Sequence, residues 1–593
     1  MPNIGKKMLL VGGLGHTDLS GKVPRPGLLM LRKALRQAGH DAVIANYSTT
    51  LMHRMFPEQV VKELAHIYTR SIKPFVIEGK KLLPRLWKIP QLAGDMKRLQ
   101  EISQELARIE RGVFQEVGAQ ISRRVKDEEI DAVGFSLYLG SSSSGSIAMA
   151  EILRRENPNT PIFFGGPQTT HFSETIYRET QAPTALVLGE GELSIVRLAE
   201  ILDALKAGRL NDLSRIPNLV YRAEDGSIIA TPRQRISLQE WIEISAVPYQ
   251  PGDFEGLMRY AFVETSRGCF YRCRFCPQPL LSGTQRYLKP AARVVDEMVE
   301  NSRRFGITHF EFVGSSTPPG QAEEIADALM ARGLQDEFKW VLFMRGKDER
   351  PAAIPLSRIM EKIKSAGGSA IFFGVESADN VTLQKMGKKG TIEDTENAML
   401  AAKEAGIATI GSFIYPYPGM AAKEGKQIVA FAERVRPLSA PAQALGIFPG
   451  THAAEHAEEI GCEFEYPEAA DQKLYQSGQK PKPSMQSPEV QSQLFNLSVI
   501  LSLPMHLWPR PFPYKIDGMS YKEYVRKTSK LSKQIAKLGI LTGFSHSHFL
   551  ISQVMGMSPE ELSERMFYCS LTGDPEETSR LIDLFNSRIK PGH

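Results

Sequence analysis

Cysteine is scarce in this sequence: the 593 residues contain five cysteines, and none of them occurs before Cys269. Three of the five lie within eight residues of one another, from Cys269 to Cys276. So few cysteines in so long a chain exclude a small scaffold that is held together by disulfides. The one close group of cysteines therefore needs an explanation of its own.

Long apolar runs are also absent, since no stretch approaches the roughly 18 apolar residues that a membrane helix needs. The run Met8–Val11 follows two lysines, as in a signal peptide, but it is too short for one and glycines come directly after it. We therefore interpret Met8–Val11 as part of a first strand, and we expect a cytoplasmic protein without a membrane span.

The composition is that of an ordinary globular protein, with 42% hydrophobic residues, 23% charged residues and a mean hydropathy of −0.23. These values exclude intrinsic disorder and a collagen-like chain. Basic residues outnumber acidic residues by 72 to 67, and the resulting net charge of +5 is too small to indicate a nucleic-acid partner. The length predicts about three or four domains.

The first 210 residues alternate short apolar runs with helical patterns, which is typical of βαβ units around a parallel sheet. We predict a doubly wound, Rossmann-like α/β domain over residues 1–210. A helical insertion over about residues 55–127 interrupts it, and its basic side chains are expected either on a solvated face or along a cofactor entrance. The predicted strands are Met8–Gly13, Ala42–Tyr47, Ala132–Tyr138, Pro161–Gly166 and Ala185–Gly189.

Residues 211–258 are predicted to form a connector that contains a hairpin around Asp225-Gly226. A second βα series then predicts a partial (β/α)6 barrel over residues 259–455, because six units are too few for a full barrel. Residues 456–593 lose this rhythm and are predicted to form a mainly helical domain. The predicted barrel strands are Ala261–Thr265, Thr308–Val313, Lys339–Phe343, Ala370–Val375, Ala408–Ile414 and Gln443–Phe448.

The cysteines Cys269, Cys273 and Cys276 follow the first predicted barrel strand with the spacing C-x3-C-x2-C, so they can converge on one inorganic centre. Three is an odd number for disulfides, and structural zinc normally takes four protein ligands. An iron–sulfur cluster usually takes four thiolates, and three would leave one iron free for another ligand. A zinc knuckle or a chance grouping is the alternative. We interpret the distant Cys462 and Cys569 as isolated packing residues.

This segment resembles the motif of the radical S-adenosylmethionine (SAM) superfamily, C-x3-C-x-aromatic-C, with Phe275 at the aromatic position. The resemblance implies that Cys269, Cys273 and Cys276 hold a [4Fe-4S] cluster whose free iron chelates the amino and carboxylate groups of SAM. An external electron donor of the flavodoxin or ferredoxin type would reduce the cluster, which would cleave SAM to a 5′-deoxyadenosyl radical.

Other segments extend the resemblance to the family. Phe372–Ser377 is similar to the fourth-strand segment that approaches SAM, and Arg345 lies where a cation would pair with the SAM carboxylate. The end of the second strand departs from the family, because Gly314 and Ser315 stand where acidic or polar residues are usual. For each of these residues, a role in loop or barrel packing is the alternative. The implied SAM-binding residues are Phe275, Gly314, Ser315, Arg345, Glu376 and Ser377.

The N-terminal domain is similar to the cobalamin-binding domains that precede many radical SAM barrels. Its predicted strands end in loops of small residues, among them Ser136–Gly145, which would let a bulky ligand approach the backbone. Of the pattern D-x-H-x-x-G that ligates cobalt in some of these domains, only His16 is present, and we expect it to contact a loop or the nucleotide tail instead. The implied cobalamin-binding residues are Gly13, His16, Ser136, Gly140, Ser141, Gly165, Gly166, Gly189 and Glu190.

The resemblance implies a cobalamin-dependent radical SAM enzyme and favours a methyltransferase. Such an enzyme moves a methyl group from SAM, through methylcobalamin, to an unactivated carbon of a small-molecule substrate. The alternatives are an oxidative cyclase or rearrangement enzyme of the same family, and a non-catalytic iron–sulfur sensor. A methylthiotransferase shares the motif but would carry three further cysteines in an N-terminal domain, and residues 1–260 contain none. No residue is assigned a catalytic role.

Overall fold

A computed structural model describes most of the chain up to residue 456. The described ranges are 5–12, 26–45, 89–137, 141–254, 260–347, 355–415, 424–437 and 448–456, with single positions at 47, 63, 67, 417, 440, 442, 443, 445, 446, 556, 557, 580 and 584. The predicted helical domain over residues 456–593 therefore lies almost wholly outside the described residues. So do Gly13, His16 and Gly140 of the predicted cobalamin site.

The N-terminal domain is built on a seven-stranded sheet in the order β2-β1-β3-β4-β5-β6-β7. Its strands are β1 (Lys7–Val11), β2 (Asp41–Ala45), β3 (Ala132–Ser136), β4 (Ile162–Gly165), β5 (Ala185–Val187), β6 (Leu219–Arg222) and β7 (Ile228–Ala230). The first five strands are parallel, in the doubly wound order 2-1-3-4-5. Sheets of this kind bind ligands beyond the carboxyl ends of their strands.

All five predicted strands of this domain are present, and each ends one or two residues before the predicted position. At β4 and β5 the reason is a glycine with positive φ, Gly166 at 102° and Gly189 at 64°, which turns the chain out of the sheet. The hairpin at Asp225-Gly226 is confirmed, and β6 and β7 extend the N-terminal sheet as antiparallel strands. Part of the predicted connector thus pairs with this sheet.

Helices cover both faces of the N-terminal sheet. The side chains of a strand point alternately to the two faces, and in this sheet apolar side chains point to both of them. In β1, Met8 and Leu10 pack on one face, and Leu9 and Val11 pack on the other. The helices of this domain are α1 (Pro26–Gln37), α2 (Ile89–Asp127), α3 (Ser141–Glu156), α4 (Pro167–His171), α5 (Ser173–Glu179), α6 (Glu192–Glu200), α7 (Leu202–Lys206) and α8 (Leu238–Ser245). A short 3-10 helix, Leu210–Arg215, follows α7.

Two helices differ in detail from the sequence prediction. Residues 89–127 of the predicted insertion form one helix of 39 residues, α2, which packs against α3 where Phe114 lies over Gly145. A Cβ atom on Gly145 would collide with the Phe114 ring, so this contact needs a glycine. Because α3 begins at Ser141, the second half of the predicted serine-rich loop is helical.

The second domain is a six-stranded sheet in which every pair of neighbours is parallel, in the order β8-β11-β12-β13-β14-β15. Its strands are β8 (Ala261–Glu264), β11 (His309–Val313), β12 (Lys339–Met344), β13 (Gly368–Glu376), β14 (Ala408–Ile414) and β15 (Ala442–Gln443). A small antiparallel pair, β9 (Ser266–Arg267) and β10 (Tyr287–Leu288), follows β8. The partial barrel that the sequence predicts is therefore present.

Helices between the strands cover the outside of this barrel, as a βα series requires. They are α9 (Gln278–Ser282), α10 (Ala291–Phe305), α11 (Pro319–Ala331), α12 (Leu356–Ser365), α13 (Asn380–Lys385), α14 (Ile392–Glu404), α15 (Glu424–Val435) and α16 (His452–Glu455). The sixth strand is described at Ala442–Gln443, at the start of the predicted Gln443–Phe448, and a turn at Pro449-Gly450 follows it. No helix of the described residues is long and apolar enough to cross a membrane.

A buried ion pair joins α1 to the chain segment that leads into the barrel. Arg32 donates from Nη1 to Asp253 Oδ1 at 2.7 Å, and its Nη2 reaches the carbonyl oxygen of Pro248 at 3.0 Å. Arg32 is 5% exposed and Asp253 is 8% exposed, so neither charge is well hydrated. Removing one partner of such a buried pair costs far more stability than the intact pair contributes.

Asp253→Asn should therefore lower the free energy of unfolding by about 3 kcal/mol, because it leaves the Arg32 guanidinium buried without its counter-charge. Urea unfolding curves would measure the change. The exposed pair between Arg293 and Glu243 supplies the control, since Glu243→Gln should cost at most about 1 kcal/mol. Equal effects of the two substitutions would contradict this role of Asp253.

Candidate functional site

The three clustered cysteines lie on the loop between β9 and α9, at the carboxyl end of the first barrel strand. Gly268 opens this loop with φ of 76°, and a Cβ atom there would collide with the carbonyl oxygen of Gln285. The Cys269 N–H donates to the Gly283 carbonyl at 3.0 Å, and the Arg274 N–H donates to the Met386 carbonyl at 2.8 Å. The loop is thus held from both sides by backbone contacts.

The protein environment favours the neutral form of two of the thiols. Burial raises the pKa of Cys276 to about 12, and burial also raises the pKa of Cys269 in spite of the nearby Arg345 cation. A bound metal centre would reverse this preference, because its positive charge stabilises thiolates. The group of cysteines therefore suits a cation-rich cluster that displaces the thiol protons when it binds.

Single metal ions fit this part of the chain poorly. Within the described ranges, no three His, Cys, Asp or Glu side chains are placed so that they could hold one ion. The ligands of an iron–sulfur cluster are bound to different iron atoms, so they need not converge on one point. The assignment of Cys269, Cys273 and Cys276 to a cluster thus rests on their motif.

Arg345 places a cation directly beside the cysteines. It follows the last residue of β12, donates from Nη1 to Cys273 Sγ at 3.7 Å, and lies 3.8 Å from the centre of the Tyr271 ring. Its Nη2 donates to the Lys389 carbonyl at 3.1 Å. Its Nε is buried and has no partner among the described residues, so one N–H donor is left for a ligand.

Glu376 stands at the carboxyl end of β13 in an unusual backbone conformation, with φ of 70°. Lys388 Nζ lies 3.6 Å from its Oε1, and both side chains are largely buried. Gly374 makes room for them, because a Cβ atom there would stand 2.6 Å from Glu376 Oε1. Burial lowers the pKa of Lys388, and Glu376 opposes that shift. Strained non-glycine residues of this kind occur mainly at functional sites.

Lys388 was not among the predicted SAM-binding residues, although it ends the segment Leu383–Lys388, which continues the resemblance of Phe372–Ser377 to the family. It follows the Phe372–Ser377 segment by eleven positions, and only the tertiary structure brings its ammonium group back to Glu376. A lysine after Met386-Gly387 was the signal available in the sequence, but nothing in its local pattern separates it from the neighbouring Lys389.

The other predicted SAM-binding residues differ in whether their polar groups are already hydrogen-bonded within the protein. Gly314 has φ of 127° and lets the backbone N–H of Ser315 reach Ser266 Oγ at 3.1 Å, while Ser315 Oγ is buried with no partner among the described residues. Phe275 is partly buried against the barrel core. The hydroxyl of Ser377 donates to Glu424 Oε2 at 3.1 Å, so it is engaged inside the barrel.

Of the predicted cobalamin residues, Ser136, Gly165, Gly166, Gly189 and Glu190 all line one cavity of about 360 Å³. Ser141 is the first residue of α3. The cavity lies at the carboxyl ends of β3, β4 and β5, where a doubly wound sheet binds its ligand. Its inner wall is apolar, and it is lined there by Leu10, Leu28, Phe163, Phe164 and Val187.

Part of the cavity wall comes from the barrel. Glu264, Arg267, Leu281 and Ser282 line the side opposite the N-terminal sheet, so the cavity lies between the two domains. Arg267 is only two residues before Cys269. The segment that leads into the predicted cluster site therefore forms part of the cavity wall.

Several buried polar atoms near this edge of the sheet have no partner among the described residues. In α4 these atoms are Gln168 Oε1, Thr169 Oγ1 and His171 Nε2, and after β5 they are Glu190 Oε2 and Glu192 Oε2. A buried polar atom without a partner is costly, so such a group is typical of a site that awaits a ligand. Of these residues only Glu190 was named as a cobalamin-binding residue, while Gln168, Thr169 and Glu192 lie in the small-residue loops predicted after the fourth and fifth strands.

Comparison with known proteins assigns the two domains. The Radical SAM superfamily profile matches residues 263–432, and the B12 binding domain profile matches residues 101–199. The chain contains a B12-binding domain and a radical SAM domain. Its cofactors are a [4Fe-4S] cluster, SAM and cobalamin. The cysteine loop suits the cluster, and the interdomain cavity suits cobalamin.

Two relatives of this chain are named for different reactions, a methyl transfer and a cyclisation. The uncharacterized methyltransferase PH0819 of Pyrococcus horikoshii is 28% identical over 343 residues, which cover 57% of this chain and 72% of that protein. The anaerobic magnesium-protoporphyrin IX monomethyl ester cyclase of Rubrivivax gelatinosus is 25% identical over 278 residues, which cover 44% of this chain and 47% of the cyclase. The match thus spans less than half of the cyclase.

One solved structure shares the fold of this chain over nearly its whole length. The radical SAM methyltransferase TsrM from Kitasatospora setae, solved with cobalamin and a [4Fe-4S] cluster bound, is similar with a TM-score of 0.57. The likeness covers 95% of this chain and 99% of TsrM at 15% sequence identity. At this identity the comparison supports the architecture and not the substrate.

Cys273→Ala should abolish the cluster absorbance that appears after anaerobic reconstitution with iron and sulfide, because the cluster would keep only two protein ligands. Iron and sulfide analysis together with the ultraviolet–visible spectrum would measure the loss. Cys462→Ala is the matched control and should reconstitute like the unchanged protein. A normal cluster spectrum from the Cys273→Ala variant would contradict the ligand assignment.

Arg345→Met should weaken SAM binding by the cluster-loaded protein about tenfold, because it removes the cation and the free N–H beside Cys273. Equilibrium dialysis with labelled SAM would measure the dissociation constant. Lys347→Met removes an exposed positive charge two residues away and should leave the affinity within about twofold. Equal affinities of both variants and the unchanged protein would contradict the assignment of Arg345.

Proposed function

We propose that this enzyme transfers a methyl group from SAM, by way of cobalamin, to a carbon atom of a small-molecule substrate. The observation that carries the proposal is the shared space between the domains. The cavity at the edge of the N-terminal sheet is closed by Arg267 and Glu264, which belong to the strand and loop that lead into Cys269. A carrier bound in the cavity would thus border the site of SAM.

Bound cobalamin supplies a methyl carrier, and SAM with the reduced cluster supplies both methyl groups and a means to activate an inert carbon. The chain's own residues hold these groups in place. In the proposal, Arg345 pairs with the SAM carboxylate through the N–H that has no other partner among the described residues. Glu376, held by Lys388, accepts hydrogen bonds from the SAM amino group.

The apolar cavity wall and its glycines would bind the corrin ring of cobalamin. A Cβ atom on Gly165 would meet only Val187, at 3.8 Å, so the sheet edge is open there and a flat ligand can lie against it. Ser136 in the cavity wall would supply a hydrogen bond. Gln168 and Thr169 directly follow Pro167 of that wall and would supply others, since each has a buried polar atom without a partner among the described residues. We further propose an external one-electron donor of the flavodoxin or ferredoxin type, because a radical SAM cluster must be reduced before each cleavage.

The relationship to PH0819 supports methyl transfer, and the relationship to the Rubrivivax cyclase supports a second candidate. In that candidate the same cofactors would serve an oxidative cyclisation or rearrangement without net methylation. The two reactions differ in what becomes of SAM, because methyl transfer releases S-adenosylhomocysteine and the alternative does not.

The test combines the reconstituted protein with hydroxocobalamin, a low-potential reductant and SAM that carries a deuterated methyl group. Metabolites from cells with and without the enzyme would be supplied as candidate substrates. Methyl transfer predicts S-adenosylhomocysteine and a product that has gained the labelled methyl group. A product without the label would favour the cyclase, and the absence of both S-adenosylhomocysteine and 5′-deoxyadenosine would contradict either enzyme. The Cys273→Ala variant is the matched control.

A further inference from the structure

The three cysteines of the loop differ in what the protein places at their sulfur atoms. Within the described ranges, one side chain donates a hydrogen bond to a cysteine of the loop, namely Arg345, from Nη1 to Cys273 Sγ at 3.7 Å. Burial raises the pKa of the other two thiols, and at each of them a backbone N–H group, that of Tyr271 or Gln278, partly opposes the shift. Cys273 is thus the cysteine whose sulfur meets a charged donor directly.

Two contacts fix the guanidinium group of Arg345 in this position. Its Cζ lies 3.8 Å from the centre of the Tyr271 ring, and its Nη2 donates to the Lys389 carbonyl at 3.1 Å. Tyr271 is buried and belongs to the cysteine loop itself. Burial lowers the pKa of Arg345, but Cys273 and Tyr271 raise it by more, so the group stays charged. The loop therefore has a fixed positive charge at one of its sulfur atoms.

The other cations near the loop are placed differently. Lys388 also interacts electrostatically with the cysteines, but its Nζ lies 3.6 Å from Glu376 Oε1, so a carboxylate offsets its charge. Arg286 acts on Cys269 but donates no hydrogen bond to it within the described ranges. Arg345 differs from both, because its charge is in contact with a sulfur atom and no carboxylate of the described residues pairs with it.

A cation at a ligand sulfur changes the energy of cluster reduction. Reduction adds one electron to the cluster, so the reduced form carries one more negative charge, which is spread over iron and sulfur. A charged N–H donor at a sulfur atom stabilises this form more than the oxidised form. Hydrogen bonds to the sulfur atoms are accordingly among the factors that set the reduction potential of an iron–sulfur cluster.

We propose that Arg345 raises the reduction potential of the cluster through its hydrogen bond to Cys273, independently of any contact with SAM. The two roles of Arg345 use different donors, Nη1 for the sulfur atom and Nε for SAM. In the reduction step the cluster gains one electron and the external donor loses one. A higher potential of the cluster makes this transfer more favourable, so a weaker reductant suffices. The inference goes beyond the proposed function, because it concerns the cluster alone and holds for methyl transfer and cyclisation alike.

Two substitutions of Arg345 test this role in the full-length, cluster-loaded protein without SAM. Arg345→Met removes the charge and the N–H donors, whereas Arg345→Lys keeps a positive charge. Lys347→Met is the matched control, since it removes an exposed charge two residues away that pairs with Asp394 at 3.4 Å. A redox titration followed by electron paramagnetic resonance measures the midpoint potential, and iron and sulfide analysis confirms that each variant holds a complete cluster.

Arg345→Met should lower the ratio of reduced to oxidised cluster at a given potential about tenfold, which is about 59 mV for a one-electron couple. Arg345→Lys should lower the midpoint potential by less, and Lys347→Met should leave it unchanged. The direction of the shift separates loss of the cation from a loosened loop. A loosened loop would admit water, which stabilises the more highly charged reduced form and so would raise the potential.

A midpoint potential of Arg345→Met that equals or exceeds that of the unchanged protein would overturn the proposal and leave the proposed function standing. A decrease that appears only after SAM is added would overturn it too, because Arg345 would then act through SAM. If Arg345→Met assembles no cluster, the comparison of Arg345→Lys with Lys347→Met decides, and equal potentials of these two variants count against the proposal. If the unchanged protein itself forms no cluster, the proposed function fails as well.

Discussion

The buried guanidinium of Arg267 is the group on which the relative placement of the cysteine loop and the interdomain cavity depends. It joins Glu192 of the N-terminal domain to Glu264 of the barrel, and it also reaches Met30 Sδ at 3.0 Å. Burial lowers the pKa of Arg267, but the two glutamates raise it by more, so the group stays charged. Each of these buried charges needs its partners, because an unpaired buried charge is strongly destabilising. The ion pairs therefore fix the position of the two domains relative to each other.

Because Arg267 lies just before the cysteines in the chain, its ion pairs also fix the start of the cysteine loop. It is followed by Gly268 and Cys269, and the loop is fixed further on by backbone contacts to Gly283 and Met386. The same short segment thus closes the cavity of the N-terminal domain and starts the cysteine loop. A displacement of one domain against the other would alter both sites at once.

Much of the fold could be predicted from local patterns. The alternation of apolar runs with helical segments predicts both parallel sheets, because buried parallel strands must be apolar and their crossovers are helices. The hairpin at Asp225-Gly226 is equally local. Its pairing with β5 was not predicted, since the choice of a neighbouring strand depends on which sheet edge is free in space. The helix α3 likewise involves a distant contact, since Gly145 near its start packs against Phe114.

By itself the sequence determined the chemistry: three cysteines at C-x3-C-x2-C, an aromatic residue at Phe275, and loops of small residues after the strands of a doubly wound sheet. Only the tertiary structure decided which polar groups face a ligand. It turned the Ser377 hydroxyl to Glu424, returned Lys388 to Glu376, and left one oxygen of Glu192 without a donor among the described residues. The reason is physical, because a motif specifies residue types at fixed spacings along the chain. Hydrogen bonds and ion pairs depend on distances in space between residues that can be far apart in sequence.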